Sequence, residues 1–134
     1  MPRNRGRIVI VSDMRPKDLL ALAEDIALDS QCGVEDLRGT KRRGFHIVDA
    51  NGSAPVMGVF TFIASSTGNL RVPLDIEVTA DTTEDGDGQI ALDWIETGNS
   101  LRPAVCATFV QSLADELESR IEDDGGEVFD TYDE

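Results

Sequence analysis

The chain is poor in the side chains that build most catalytic and metal sites. It has one histidine, two cysteines and 5% aromatic residues among 134. His46, Cys32 and Cys106 are too few to supply four zinc ligands without carboxylates, and no CxxC or HxxxH spacing occurs. Dinucleotide, Walker A and nucleophile-elbow motifs are absent as well. We therefore expect a protein that is not an enzyme and that uses no metal and no cofactor.

The N-terminus lacks an apolar run long enough to direct export. The first such stretch, Ile8 to Val11, has four residues and ends at Ser12. That is shorter than a signal-peptide core or a membrane span. Two cysteines do not make a disulfide framework, which suits a reducing compartment. These features predict a cytoplasmic protein with no membrane partner.

Lysine is scarce and acid is abundant. The formal net charge is −14, of which residues 1–50 contribute +1 and residues 51–134 contribute −15. Ten of the twelve basic residues are arginine, and sixteen of the 26 acids are aspartate. This halophilic-like composition fits a salty cytoplasm, and a GC-rich genome is the alternative explanation for the arginine bias. Nucleic acids and membranes are poor partners for so acidic a second half.

Three predicted strands follow one another between residues 55 and 95. Val56 to Ala64 is apolar on both faces, as in a strand covered on both sides. Leu70 to Asp81 alternates strictly between apolar and polar residues, the pattern of a half-buried strand. Gln89 to Glu96 forms the third strand, and the acidic segment Asp81 to Gly88 before it predicts a hairpin turn rather than a calcium loop.

Two further strands and two helices flank this centre. Residues 8–11 predict a short buried strand, and Phe45 to Asp49 predicts a strand that forms a hairpin with the Val56 strand across Asn51-Gly52. Pro16 to Ser30 has helical periodicity and is capped by Ser12 or Asp13. A longer helix begins near Pro103 and has the apolar stripe Val105, Cys106, Phe109, Val110, Leu113, Leu117 and Ile121.

The element order is therefore β-α-β-β-β-β-α. It predicts an α+β domain with an antiparallel sheet of about five strands and two amphipathic helices on one face. This order resembles that of the helix-grip proteins, such as the START and polyketide-cyclase-like families, and the resemblance implies an apolar ligand cavity under the last helix. The small size, the acidity and the amphipathic last helix are also similar to type III secretion chaperones, which order their elements differently. We expect one domain over residues 8–122.

Two basic clusters stand out on this acidic chain. Residues 1–7 form a predicted flexible arm with Arg3, Arg5 and Arg7. The segment 34–44, predicted to be a loop with at most one edge strand, has a second cluster made of Arg38, Lys41, Arg42 and Arg43. These side chains suit phosphates, an acidic partner or the chain's own acidic end.

The acidic end spans residues 123–134, which we expect to be disordered alone because acids dominate it and no base occurs there. Phe129 and Tyr132 stand among acids, including Asp130 and Asp133. Short acidic and aromatic segments of this kind dock on basic, apolar surfaces of other proteins. These four residues are the predicted partner-binding site.

The leading hypothesis is a non-enzymatic acidic module that binds another protein, or a second copy of itself, through its sheet or its C-terminal segment. The first alternative is a helix-grip-like domain that binds a small molecule. The second is a nucleic-acid-related protein that either binds through the basic arm and loop or mimics DNA with its acidic faces.

One expected result depends on the charge alone. If the acidity is a salt adaptation, the melting temperature should continue to rise from low salt to molar KCl, past the ~0.15 M at which screening of surface charge is largely complete. Thermal unfolding at increasing KCl measures this. A flat curve above that concentration would favour the genome-composition explanation.

Overall fold

A computed structural model describes residues 5–37, 43–51, 71–95 and 105–133. These residues form six strands and two helices. The elements are β1 (Arg5–Ser12), α1 (Pro16–Asp29), β2 (Gly33–Asp36), β3 (Arg43–Asn51), β4 (Arg71–Thr82), β5 (Gly88–Ile95), α2 (Val105–Asp123) and β6 (Val128–Asp133).

The six strands make one open antiparallel sheet in the order β2-β3-β4-β5-β1-β6. Both helices pack on the same side of it, and their apolar stripes share one core with the strands. The predicted α+β class and its element order are confirmed, with six strands instead of about five. Two of the six, β2 and β6, are not among the five strands predicted, and the predicted Val56–Ala64 strand lies outside the described residues.

The alternation of β4 decides which face of the sheet is buried. Leu74, Ile76 and Val78 are at most 6% exposed and lie in the core, while Glu77, which alternates with them, is exposed. The turn to β5 is closed by Thr83, whose N–H donates to the Asp87 carbonyl at 2.8 Å and whose hydroxyl accepts from the Asp87 N–H at 3.1 Å. The acidic segment between β4 and β5 is thus a hairpin turn.

Helix α1 begins without the predicted side-chain cap. Its N-cap is Arg15, which makes no capping hydrogen bond with its side chain, and Pro16 starts the helix with a preset φ. The Ser12 hydroxyl instead accepts from the Met14 N–H at 3.2 Å, inside the turn that precedes the helix. The prediction of Ser12 or Asp13 as the cap was wrong because the turn after β1 uses both residues first.

Helix α2 lies beside α1 on the sheet. Phe109, Leu113 and Leu117 are essentially fully buried, at the helical spacing that the sequence indicates. At the surface, Arg120 of α2 donates to the Asp29 carboxylate of α1 at 2.9 Å and to Glu116 at 3.1 Å. The bond to Asp29, and secondarily that to Glu116, raises the pKa of Arg120. This exposed contact joins the two helix ends.

Some predicted elements lie outside the described residues. These are the Val56–Ala64 strand, its hairpin with β3, the start of the last helix at Pro103, and Arg3, Arg38, Lys41 and Arg42 of the basic clusters. Within the described part, β3 pairs with β2 on one side and β4 on the other. The segment 34–44 therefore contains three of the four residues of β2 and, at its other end, the first two residues of β3.

The described residues of the segments 1–7 and 123–134 are more ordered than their composition predicts. β1 begins at Arg5, so Arg5 and Arg7 are strand residues rather than part of a free arm. The segment 123–134 was predicted to be disordered, but Val128–Asp133 pairs with β1 as strand β6. Composition misled here because ladder hydrogen bonds and the packing of Val128 on the core both stabilise this segment, and neither is visible in its charge.

Gly6 of β1 provides a test of the sheet register. It faces Trp94 of β5, and a Cβ added at residue 6 would lie 1.9 Å from Cζ2 of the indole. Gly6→Ala should therefore displace the ring and destabilise the protein by about 1–3 kcal/mol, as overpacking does. Denaturant unfolding followed by the fluorescence of Trp94, the only tryptophan, measures both effects.

Gly86→Asn is the matched control for that substitution. Gly86 has a φ of 89°, which asparagine tolerates better than most residues, and nothing lies within 4 Å of its missing Cβ. We expect a smaller loss and unchanged native fluorescence. Equal behaviour of the two variants would contradict the β1–β5 register.

Candidate functional site

The four predicted partner-binding residues all lie on β6, so the structure brings them together on one edge of the sheet. The chain reaches this edge through the end of α2. Gly125, with a φ of 85°, lets the backbone reverse, and the Gly126 N–H donates to the Ile121 carbonyl at 2.9 Å. The turn delivers Glu127 next to the end of β1.

Asp13 fastens the start of β6. Its carboxylate accepts the Glu127 N–H at 2.9 Å, and its own N–H donates to the Glu127 carbonyl at 3.3 Å. From there β6 runs antiparallel to β1, with Asp130 opposite Val11 and Tyr132 opposite Val9. A one-residue irregularity in the register falls at Phe129.

Phe129 and Tyr132 are unusually exposed for aromatic residues. Phe129 is 50% and Tyr132 36% exposed, and only Leu28 on α1 joins them as an exposed large apolar side chain in the described ranges. Val128 packs against the core and holds the strand down. The edge is thus anchored at one end and presents two aromatic rings to solvent.

Exposed acids precede, separate and follow these two aromatic residues in the sequence. The exposed acids of residues 122–133 are Glu122, Asp123, Asp124, Glu127, Asp130 and Asp133. None of the ion pairs between described residues involves any of them. On the helix side, the Thr131 hydroxyl donates to the Glu118 carboxylate of α2. The electrostatic potential along this edge is therefore strongly negative.

The described members of the two basic clusters are far apart. Arg43 shares a register row with Ala80, Ile90 and Ile10, and Arg5 lies five residues along β1 from that row. Strand geometry places their Cα atoms about 17 Å apart along the strands and about 14 Å across them. These residues do not form one basic surface.

The face of the sheet opposite the helices has a shallow concavity of about 90 Å³. It is lined by Arg7, Thr79, Ala80, Asp81, Gln89 and Ala91. Its volume suits about three water molecules, well below the several hundred Å³ of a typical ligand pocket. At this face, the Nη1 atom of Arg7 lies 3.8 Å from the Oδ1 atom of Asp93.

The remaining residues with reactive side chains have structural neighbours. His46 Nε2 lies 2.9 Å from the Asp75 carboxylate, and Cys106 is buried in α2. Ser12 and Asp13, the residues at a position where α/β enzymes often place a carboxylate, hold the turn and β6. Within the described ranges, no three His, Cys, Asp or Glu side chains gather as metal ligands.

Two further observations do not indicate what the chain does. Neither α1 nor the described part of α2 is long and apolar enough to cross a membrane. The chain matches no protein-family profile, no curated protein and no solved structure.

The sequence pattern singled out the aromatic and acidic residues of β6, but it did not indicate the contacts that hold this strand in place. The contact between Asp13 and Glu127 joins positions 114 residues apart, and nothing local marks it. A weak signal was present in Gly125-Gly126, which ends the helix and permits the return of the chain.

The hydrogen bond between the Glu127 N–H and the Asp13 carboxylate can be tested by substitution. Asp13→Ala removes the acceptor of the Glu127 N–H. The free energy of opening β6 should therefore fall by about 1 kcal/mol, which raises the population of the open form about fivefold. Chymotrypsin cleavage after Phe129 under native conditions reports this opening. Asp13→Asn keeps an acceptor oxygen and should cleave nearly as slowly as the unchanged protein. Equal cleavage of all three proteins would show that Asp13 does not hold the strand.

Proposed function

We propose that this chain is a non-enzymatic acidic module that binds another protein through the β6 edge. The observation that carries the proposal is the pair of exposed rings, Phe129 and Tyr132, on an edge strand surrounded by carboxylates. Exposed aromatics at a sheet edge are costly in a free protein, since the hydration of their apolar surface is unfavourable and their exposure invites aggregation. Burial by a partner offsets that cost.

The composition of the edge also resembles a binding site. Tyrosine and other aromatics are enriched among the residues that contribute most to interfaces, because they bury a large area with little loss of side-chain entropy. The carboxylates around them form a polar rim that selects a basic partner and accelerates its approach. The proposal requires no cofactor and no catalytic step.

Charge favours a protein over a nucleic acid as the partner of this edge. Six exposed acids between residues 122 and 133 would repel phosphates, and the nearby strand β1 offers only Arg5 and Arg7 in compensation. The separation of Arg5 and Arg43 gives no support to a single phosphate-binding surface. Small-molecule binding under α2 remains a prediction from element order.

Site-specific photo-crosslinking in the cells that make the protein tests the proposal. The photoreactive phenylalanine analogue p-benzoylphenylalanine replaces Phe129 in one variant and Leu28 in the control, which is equally exposed but lies on α1. We expect a discrete adduct with another protein from position 129 and none from position 28. Excess unmodified chain should compete for the adduct, and the double variant Phe129→Ser, Tyr132→Ser should not.

Adducts of the same mass from both positions would contradict the proposal. So would the absence of any adduct from position 129 above the level seen at position 28. Thermal unfolding of each variant establishes that the compared proteins are folded.

A further inference from the structure

We infer that β6 accepts its partner as a seventh strand, and that the partner segment is extended and rich in lysine or arginine. The inference rests on the proposed function and specifies the mode of binding and the chemistry of the partner. Its basis is the outer backbone of β6, which pairs with no described strand, the sequence of β6, and the charges that a new strand would meet there.

Among the described residues, no strand pairs with the outer side of β6. Within the described part of the chain, β6 has one strand neighbour, β1, and stands last in the sheet order. In an antiparallel pair, alternate residues direct both N–H and C=O away from the neighbour. About half of the six residues of β6 therefore present a donor and an acceptor outward, which is the requirement for strand addition.

The edge lacks most of the features that natural proteins use to block such pairing. β6 contains no proline and no lysine, and its irregularity is confined to Phe129 near one end. The opposite edge, β2, is only four residues long. The charges of β6 do protect it, but only against partners of the same sign. A second β6 would bring acids against acids, whereas a basic strand would be attracted.

The side chains of an added strand would meet carboxylates toward the helix layer. Thr131 faces α2 and contacts Glu118. Asp115 and Glu122 are three residues before and four residues after Glu118, so they lie on the same side of α2. Partner residues that point to this layer would thus come near three acids.

Toward the opposite face, the neighbours of an added strand are Asp130 and Tyr132. These residues alternate with Thr131 and so project away from α2. A carboxylate pairs with lysine or arginine, and the exposed ring of Tyr132 accepts a cation over its face. Basic residues of the partner are therefore favoured on both faces of the added strand. An apolar partner residue would contact Phe129.

The test uses defined peptides and the full chain labelled with ¹⁵N. The probe is a decapeptide that alternates lysine or arginine with valine or threonine. One control replaces its basic residues by glutamate, and another N-methylates two adjacent central residues, which blocks backbone pairing on either edge of the peptide without changing the charge. Amide shifts and hydrogen exchange locate the contact.

We expect the basic peptide to shift β6 amides and slow their exchange, and N-methylation or charge reversal to weaken binding at least tenfold. Equal binding of the N-methylated peptide would overturn strand addition in favour of loose electrostatic adsorption. Equal binding of the acidic peptide, or shifts confined to other strands, would overturn the assignment of partner or site. If native mass spectrometry shows a dimer that substitutions in β6 abolish, the added strand comes from a second copy of the chain. That result would also overturn the inference of a basic partner.

A matched pair of variants separates local from overall charge. Asp130→Lys with Asp133→Lys should abolish binding of the basic peptide. Glu84→Lys with Asp85→Lys, in the turn between β4 and β5, changes the net charge equally and should leave it nearly intact. Equal loss in both variants would contradict recognition at β6.

The inference and the proposed function fail separately. If position 129 crosslinks a cellular protein but the basic peptide does not bind β6, strand addition is wrong and the interaction edge stands. If neither experiment succeeds, both fail.

Discussion

The antiparallel pairing of β1 with two strands from the second half of the chain is the contact on which the rest of the structure depends. β1 lies between β5 and β6, so its neighbours occupy both of its backbone edges. Ile8, Val9 and Ile10 are at most 2% exposed, which means that both faces of this strand are covered. Without β1 the sheet would end at β5, and the acidic C-terminal segment would have no strand to pair with.

The second constraint is the charge of residues 51–134, which the fold accommodates by placing acids at edges and turns. The carboxylates of the β4–β5 turn and of residues 122–133 are largely exposed, where water and salt screen their repulsion. At β6 the result, among the described residues, is a strand with one neighbour, two solvent-facing rings and exposed carboxylates. Each of these alone is common on a protein surface. Their coincidence on six residues is the basis of our proposal that this edge recognises a basic strand.

The parts of the fold that follow from local periodicity could be predicted from the sequence. The alternation of β4 and the apolar stripe of α2 each specify an element and its buried face, and Phe129 and Tyr132 stood out as aromatics among acids. The state of residues 123–134 could not be predicted, because their order depends on β1 and on Asp13, more than a hundred positions away. Likewise, the cap expected at Ser12 or Asp13 failed because a distant backbone group and the local turn occupy those side chains. Contacts between residues far apart in the chain produce no periodic pattern in the sequence, so they cannot be predicted from it.

Native-state hydrogen exchange of the free protein tests the central claim most directly, because the claim is that β6 is ordered on one side and open on the other. The described geometry predicts an alternating pattern along the regular part of the strand, Asp130 to Asp133, in which amides that face β1 are protected and their neighbours exchange at nearly unprotected rates. Fast exchange at every position would mean that the segment is not a strand. Slow exchange at every position would mean that something already covers the edge, and no place would remain for a partner.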